Sequence, residues 1–195
     1  MQKNNDIHPE TKRQMTARML TTCALLTAAS IILARLIIPM PNVTTRFSIE
    51  AVPYFIAGMR FGPLPGALVG AAADFIGCLF SGYGFNPLFS VPPILYGLTA
   101  GIFRHFVTEK PTIFRIGLAF LPPVVFGSIL YQSWALAFVY GGKAFESFFI
   151  TKLATRSVQF AVTWVLETLI VFLLIKSRLF EKTHLIRPKT VEKSA

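Results

Sequence analysis

The chain has 195 residues, of which 53% are hydrophobic and only 14% charged. A water-soluble domain of this length needs a more highly charged surface, so this composition excludes a soluble globular protein and indicates a membrane protein. The formal net charge of +10 does not indicate nucleic-acid binding, because the cations lie between apolar runs and in the tails, with no RNA- or DNA-binding motif around them.

Six apolar segments follow one another, and we predict an all-α, polytopic membrane protein with a single bundle of six transmembrane helices. Residues 1–14 are predicted to form a polar N-terminal arm, residues 15–178 the transmembrane domain, and residues 179–195 a basic tail. The predicted helices cover residues 15–38, 47–59, 64–80, 88–107, 113–140 and 144–176.

The lysines and arginines between the helices predict the orientation of the bundle. With six crossings both ends lie on one side, and that side collects the cations of the arm, the tail and the connections near Arg60 and Arg104. The opposite loops carry only Arg46 and Lys143. Because cytoplasmic loops are enriched in Lys and Arg, both termini should be cytoplasmic, and we expect a multi-pass protein of the plasma membrane.

This topology brings three polar or glycine-rich loops together on the outer face: "PMPNVTTR", "SGYGFNP" and "YGGK". Their convergence predicts an outward-facing binding cavity. In the second loop, Tyr83 and Phe85 either cover a flat ligand or simply cover the helix ends.

The third predicted helix combines small residues with an acid. Gly66 and Gly70, with the alanines that follow each of them, form small-xxx-small pairs that allow close approach of neighbouring helices. Close packing excludes lipid, so Asp74 can lie inside the bundle without facing hydrocarbon. Its carboxylate has either a structural role or a role in binding a ligand.

The sixth helix carries a polar stripe, because Lys152, Arg156, Gln159, Thr163 and Glu167 recur at intervals that keep them on one face. One interpretation is an interhelical polar seam in which Glu167 or another acid neutralises Arg156. The other is that the first three residues of the stripe present hydrogen-bond donors to an anionic solute.

Four further residues are singled out by their positions: Arg35 and Trp134 each have two interpretations, and Gln132 and Glu50 have one each. Arg35 either reaches from the end of the first helix to the interface or donates into the cavity. Gln132 lies on an inward face of the fifth helix, and Trp134 beside it belongs to an interfacial aromatic belt or stacks on a ligand. Glu50 follows Arg46 by one turn, which favours a local ion pair.

Sequence motifs for catalysis, nucleotide hydrolysis and metal binding are missing from the chain. It contains no Gly-x-x-x-x-Gly-Lys-Ser/Thr sequence, and its two cysteines have no CxxC or Cys/His spacing. The three histidines lie outside the predicted cavity. We therefore expect no enzyme activity, no cofactor and no metal site in this chain.

The segment "RFSIEAVPYFIAGMRFGPLPGALVGAAADFIG" resembles the P-x-x-x-A-G-x-x-F-G-P-x-x-G-A-x-x-G-x-x-A-D pattern of the substrate-binding subunits, or S components, of energy-coupling factor (ECF) vitamin transporters. The resemblance extends through "FSGYGFNP" and the R-x-x-Q of Arg156 and Gln159, and it is strongest to the folate-specific members. It implies a six-helix, substrate-binding membrane protein without an ATPase of its own. Such a protein transports only with a coupling membrane subunit and two cytoplasmic ATPases.

The resemblance also implies roles for individual residues. Ala24 and Ala28, on a small-residue face of the first helix, look like the family's docking surface for the coupling subunit. Arg35 falls where folate-specific members place an arginine that contacts the pterin.

Together with the residues above, these arguments give nine candidate ligand-binding residues: Arg35, Asp74, Tyr83, Phe85, Gln132, Trp134, Lys152, Arg156 and Gln159. The predicted function is folate capture for an ATP-driven importer, with the lipid bilayer as surroundings and no nucleic-acid partner. The alternatives are an S component for riboflavin, thiamine or a precursor, a membrane-embedded enzyme, and a stand-alone secondary transporter.

Overall fold

The computed structural model describes residues 9–35, 38–39, 46–47, 49–81, 85–109 and 111–177. Four of its helical segments are long and apolar enough to cross a membrane: Ala17–Arg35, Pro63–Phe80, Ile113–Tyr140 and Gly142–Lys176. The segment Pro87–Ile102 is also apolar but shorter. The fold is therefore a helical membrane bundle, as the composition predicts.

The helices, in chain order, are α1 (Pro9–Arg35), α2 (Ala51–Phe61), α3 (Pro63–Ser81), α4 (Val91–Ile102), α5 (Arg104–Glu109), α6 (Ile113–Pro122), α7 (Gln132–Tyr140) and α8 (Phe145–Lys176). Two strands of two residues each, β1 (Ile38–Pro39) and β2 (Arg46–Phe47), pair antiparallel between α1 and α2. Short 3₁₀ turns, Pro87–Ser90 and Gly142–Ala144, precede α4 and α8.

The predicted boundaries of three helices are wrong. The first helix ends at Arg35 instead of residue 38, because Pro39 disfavours a helical conformation of the residue before it, and Ile38 pairs instead with Phe47. Because Phe47 belongs to a strand, the second helix begins at Ala51 instead of residue 47. The fourth predicted helix is interrupted at Phe103, whose ψ of 6° is not helical.

Glycines hold α2, α3 and α4 in backbone contact, which confirms the close packing predicted for α3. A methyl group built on Gly66 would overlap the backbones of both Gly58 and Gly97, and one on Gly70 would overlap the Pro93 carbonyl. Only glycine permits this approach. The three helices therefore form one tightly joined unit in which the side chains beyond the glycines are held in fixed positions.

The segment from α6 to α7 is a continuous helix with a π-helical stretch, Pro123–Tyr131, in its middle. Within it the backbone N–H of Gln132 donates to the Gly127 carbonyl, five residues earlier. The preceding dipeptide Pro122–Pro123 lacks the N–H groups that would close ordinary α-helical hydrogen bonds, so the wider helix begins there. Phe120 of α6 stacks on Phe55 of α2, with ring centroids 3.7 Å apart, in the middle of the core.

The outer surface of the bundle is apolar. Phe114 and Phe126, on the α6–α7 segment, are 74% and 65% exposed, and similarly exposed leucines and valines lie on α1, α3 and α8. Such a surface suits lipid tails, whereas buried polar side chains point inward.

Candidate functional site

A cavity of about 120 Å³ lies between α2, α3, α4, the π-helical stretch and α8. The lining residues combine acids, amides, hydroxyls and aromatic rings: Glu50, Ala51, Tyr54, Asp74, Phe89, Pro92, Pro93, Tyr96, Ser128, Gln132, Gln159, Phe160, Thr163 and Glu167.

Asp74, predicted to lie inside the bundle, is on the cavity wall. Its Oδ2 accepts a hydrogen bond of 2.5 Å from the Ser90 hydroxyl, at the end of the 3₁₀ turn before α4. The Cys78 thiol lies 4.0 Å from the other oxygen, Oδ1, which makes a weak contact. Since Gly70 packs on Pro93 one turn away, the glycine contacts place the carboxylate beside the start of α4.

The deepest acid of the cavity is Glu167 of α8, which is only 2% exposed. The backbone N–H of Ala51, the first residue of α2, donates to its carboxylate. The N-terminus of α2 therefore directs a backbone donor at this side chain, one of the N–H groups that have no partner within the helix. Glu50 precedes Ala51 and also lines the cavity.

Aromatic side chains form the other walls. Tyr54 and Tyr96 are both buried, and their ring centroids are 6.0 Å apart. The Tyr96 hydroxyl lies 3.2 Å from the Ser128 hydroxyl, which links α4 to the π-helical stretch. Phe89 and Phe160 add two more rings. A flat, apolar ring system therefore finds π faces on several sides.

Arg156 does not line the cavity but contacts two residues that do. Its Nη1 donates a hydrogen bond of 3.0 Å to the Ser128 carbonyl, and its guanidinium lies 5.5 Å from the centroid of the Phe160 ring. It does not pair with Glu167, because eleven residues of helix separate the two by about 16 Å. The seam in which Glu167 neutralises Arg156 is therefore wrong.

The structure brings only part of the predicted set together. Asp74, Gln132 and Gln159 line the cavity, and Arg156 contacts the lining residue Ser128. Tyr83 lies outside the described residues.

The other four predicted residues do not line the cavity. Arg35 donates to the Gly77 carbonyl at 3.1 Å, and the Lys152 ammonium lies 5.3 Å from the centroid of the Phe148 ring. Phe85 and Trp134 are each 42% exposed. Phe85 packs edge-on against Phe75, and Trp134 stacks near Phe138.

Sequence reasoning missed several cavity residues, chiefly Glu50, Tyr54, Phe89, Tyr96 and Ser128. The sequence favoured an ion pair of Glu50 with Arg46, whose side chain lies outside the described residues, and did not indicate that Glu50 also lines the cavity. Tyr54 and Tyr96 carried a usable signal, because a tyrosine inside an apolar helix must find a partner for its hydroxyl. Ser128 shares a helix face with Gln132 at a four-residue spacing, whereas no local pattern identified Phe89.

The lining contains three carboxylates and no lysine or arginine among the residues that the structure describes. The described side chains also form no group of three His, Cys, Asp or Glu able to hold a metal ion. Chemically, the cavity offers hydrogen-bond acceptors deep inside, amides and hydroxyls at its sides, and aromatic faces. It suits a neutral or donor-rich ring system better than the acidic end of a ligand.

The small-residue face of α1 points away from this cavity. Ala24 and Ala28 are both exposed, and so are Ala17 and Thr21 on the same face. The face is therefore uncovered by the described part of the chain.

Comparison with known proteins places the chain in a transporter family. A family model described as ECF-type riboflavin transporter, S component, matches residues 14–176. The folate transporter FolT of Clostridium novyi (strain NT) is 27% identical over 119 residues, which are 60% of this chain and 67% of that protein.

Two solved structures share the fold. The crystal structure of FolT bound with folic acid superposes with a TM-score of 0.66 at 22% identity, covering 81% of this chain and 92% of FolT. The S component for biotin from an ECF-type ABC transporter gives a TM-score of 0.60 at 21% identity, over 84% of this chain and 93% of that one. Because the family match spans most of its length, the chain belongs to the S components of ECF-type transporters.

Proposed function

We propose that this S component captures folate from the outer face of the plasma membrane for an ATP-driven ECF importer. The observation that carries the proposal is the cavity, which surrounds its acids with aromatic rings in the fold of a folate-binding structure. The folate transporter of Clostridium novyi supports the same ligand class.

The chemistry of the lining favours a pterin over a flavin. The pterin ring of folate presents an amino group beside a ring N–H, a pair of donors that a carboxylate accepts well. The flavin ring presents a single N–H between two carbonyl oxygens, which an amide complements better than an acid does. A cavity with Asp74, Glu50 and Glu167 in its lining therefore suits the pterin edge.

The orientation of the ligand follows from the same charges. Because carboxylates line the cavity, the two carboxylates of the folate glutamate should remain toward the mouth and the pterin should enter first. We propose Asp74, Gln132 and Gln159 as direct ligand contacts, with Arg156 fixing the wall through Ser128. Lys152, Arg35, Trp134 and the loop residues Tyr83 and Phe85 are proposed to act nearer the entrance.

Two further elements of the proposal concern topology and partners. We infer six crossings with both termini in the cytoplasm, as the distribution of cations predicts. Since the sequence has no nucleotide-hydrolysing motif, energy should come from a coupling membrane subunit and two ATPases. The exposed Ala24 and Ala28 are proposed to dock the coupling subunit, because small residues allow close helix contact.

The experiment that tests folate capture is calorimetry on the full chain, purified in detergent, with folic acid, riboflavin, thiamine and biotin, preceded by mass spectrometry of any co-purified small molecule. Of these four compounds, we expect only folic acid to bind saturably. Asp74→Asn should weaken the binding of folic acid by about tenfold or more. The control Glu109→Gln should leave it unchanged, because the Glu109 side chain is 74% exposed and lies beside Arg115. Absence of folic acid binding in a monodisperse, folded sample would refute the proposal.

A second candidate, riboflavin, is favoured by the description of the matching family model. The same titration decides between them, since riboflavin binding without folic acid binding would establish this alternative. A riboflavin site should also tolerate Asp74→Asn, because the flavin edge does not require a carboxylate.

A further inference from the structure

Glu167 has a feature that the fold does not explain. Its side chain is 2% exposed, yet its Oε2 has no hydrogen-bond partner among the residues that the structure describes. A buried acceptor left without a donor is costly, and such a group calls for an explanation. Glu167 also lines the cavity, so a bound molecule can reach it.

The surroundings of Glu167 hold the carboxylate in place without using both of its oxygens. The Ala51 N–H, at the start of the eleven-residue helix α2, donates to the carboxylate. The described residues provide no salt bridge to it. Arg156 is about 16 Å away along α8 and donates to the Ser128 carbonyl instead. One oxygen therefore remains available at the deep end of the cavity.

The other acids of the cavity are less suited to the same task. Asp74 already accepts a short hydrogen bond from Ser90 through Oδ2. Glu50 is half-buried and has contacts of its own. Glu167 is the most buried of the three, so a hydrogen bond to it is the least weakened by water.

We infer that Glu167 is the specificity-determining residue that selects an amino group at position 2 of a pteridine ring over an oxygen at that position. The inference rests on the proposed folate function and extends it to one atom of the ligand. The 2-amino group donates to the unpartnered Oε2 and completes its hydrogen bonding. A 2-oxo group places an acceptor against an acceptor and is rejected, since buried polar groups without partners discriminate strongly.

The test compares pterin with lumazine, which carries an oxygen in place of the 2-amino group, by their displacement of folic acid from the full chain in detergent. We expect the wild-type protein to prefer pterin by about 30-fold or more. In Glu167→Gln the preference should shrink to about threefold or less, because the amide can donate to the 2-oxo group as well as accept.

A matched control lies one residue further along α8. Thr168 is also buried, and its Oγ1 also lacks a partner in the described part of the chain, but it does not line the cavity. Thr168→Val should therefore keep the wild-type preference. Melting curves and gel filtration establish that both variants are folded.

The outcomes separate this inference from the proposed function. If the wild-type protein binds folic acid but prefers pterin by less than about threefold, the inference is overturned without any variant. If Glu167→Gln weakens both rings equally, the inference is also overturned and folate capture stands. If the wild-type protein binds no folic acid, the proposed function falls and this inference falls with it.

Discussion

The contact of Gly97 with Gly66 predicts that a single methyl group at the α3–α4 interface destabilises the whole protein. A Cβ built on Gly97 lies 2.8 Å from the Ala67 backbone nitrogen and overlaps the Gly66 carbonyl, whereas ordinary contacts begin at 3.4 Å. The neighbouring atoms are backbone and cannot rotate away, so α3 and α4 must separate. Overpacking of this kind lowers the free energy of unfolding by about 1 to 3 kcal/mol.

The assay is thermal melting of Gly97→Ala in detergent, without ligand and with folic acid. For a chain of this size the loss corresponds to a melting temperature lower by roughly 2 to 12 °C. Separation of α3 from α4 should also lengthen the hydrogen bond between Asp74 and Ser90, so folic acid affinity should fall with stability.

Gly77→Ala provides the matched control on α3, because a Cβ at Gly77 has nothing within 4 Å among the described residues. Alanine also favours helix more than glycine does, so this variant should melt at the wild-type temperature or slightly above it. Equal melting temperatures for Gly97→Ala and Gly77→Ala would refute the argument that backbone contact at the glycines holds the helices together.

Three other substitutions test separate parts of the structure. Arg156→Gln removes the donor to the Ser128 carbonyl and should weaken folic acid binding by about tenfold or more in calorimetry; a change below twofold would contradict the role given to it. Trp164→Phe removes the hydrogen bond of 2.9 Å to the Gly117 carbonyl and should lower the free energy of unfolding by about 1 kcal/mol, measured by melting, with folic acid affinity unchanged. Ala28→Trp should leave binding by the isolated chain intact but abolish co-purification with the coupling subunit; retained co-purification would refute docking at α1.

The features that depend on local spacing could be predicted from the sequence. The fifth predicted helix, residues 113–140, has the observed limits, and the glycines of α3 make the contacts that their four-residue spacing indicates. The polar stripe predicted on α8 is also correct for its last three residues, Gln159, Thr163 and Glu167, which all line the cavity. Periodicity determines which face of a helix a residue occupies, so these predictions needed no knowledge of neighbouring helices.

The features that depend on how helices meet could not be predicted. Gln132 lines the cavity, as its inward face predicts, but the sequence left two interpretations for Trp134, and only the packed helices show that Trp134 stacks near Phe138 outside the lining. The π-helical stretch that ends at Tyr131 is not visible in an α-helical pattern either, although Pro122–Pro123 marks its beginning. The ion pair predicted between Arg46 and Glu50 assumed a continuous helix, whereas residues 46–47 belong to a strand and α2 begins only at Ala51. The Arg46 side chain lies outside the described part of the chain, so the ion pair stays a prediction.

The short length of α2 connects these observations. Eleven residues span only about 16 Å, so the helical part of this crossing is shorter than the hydrocarbon core, and its N-terminus lies inside the bundle at the cavity. The glycines of α3 and α4 hold this short helix in place against two longer ones, which leaves an opening beyond Ala51. That opening is the cavity, and the Ala51 N–H at its edge donates to the buried side chain of Glu167. Close packing at small residues and a polar ligand site are thus two consequences of one arrangement, because the contact that fixes α2 also determines where it stops.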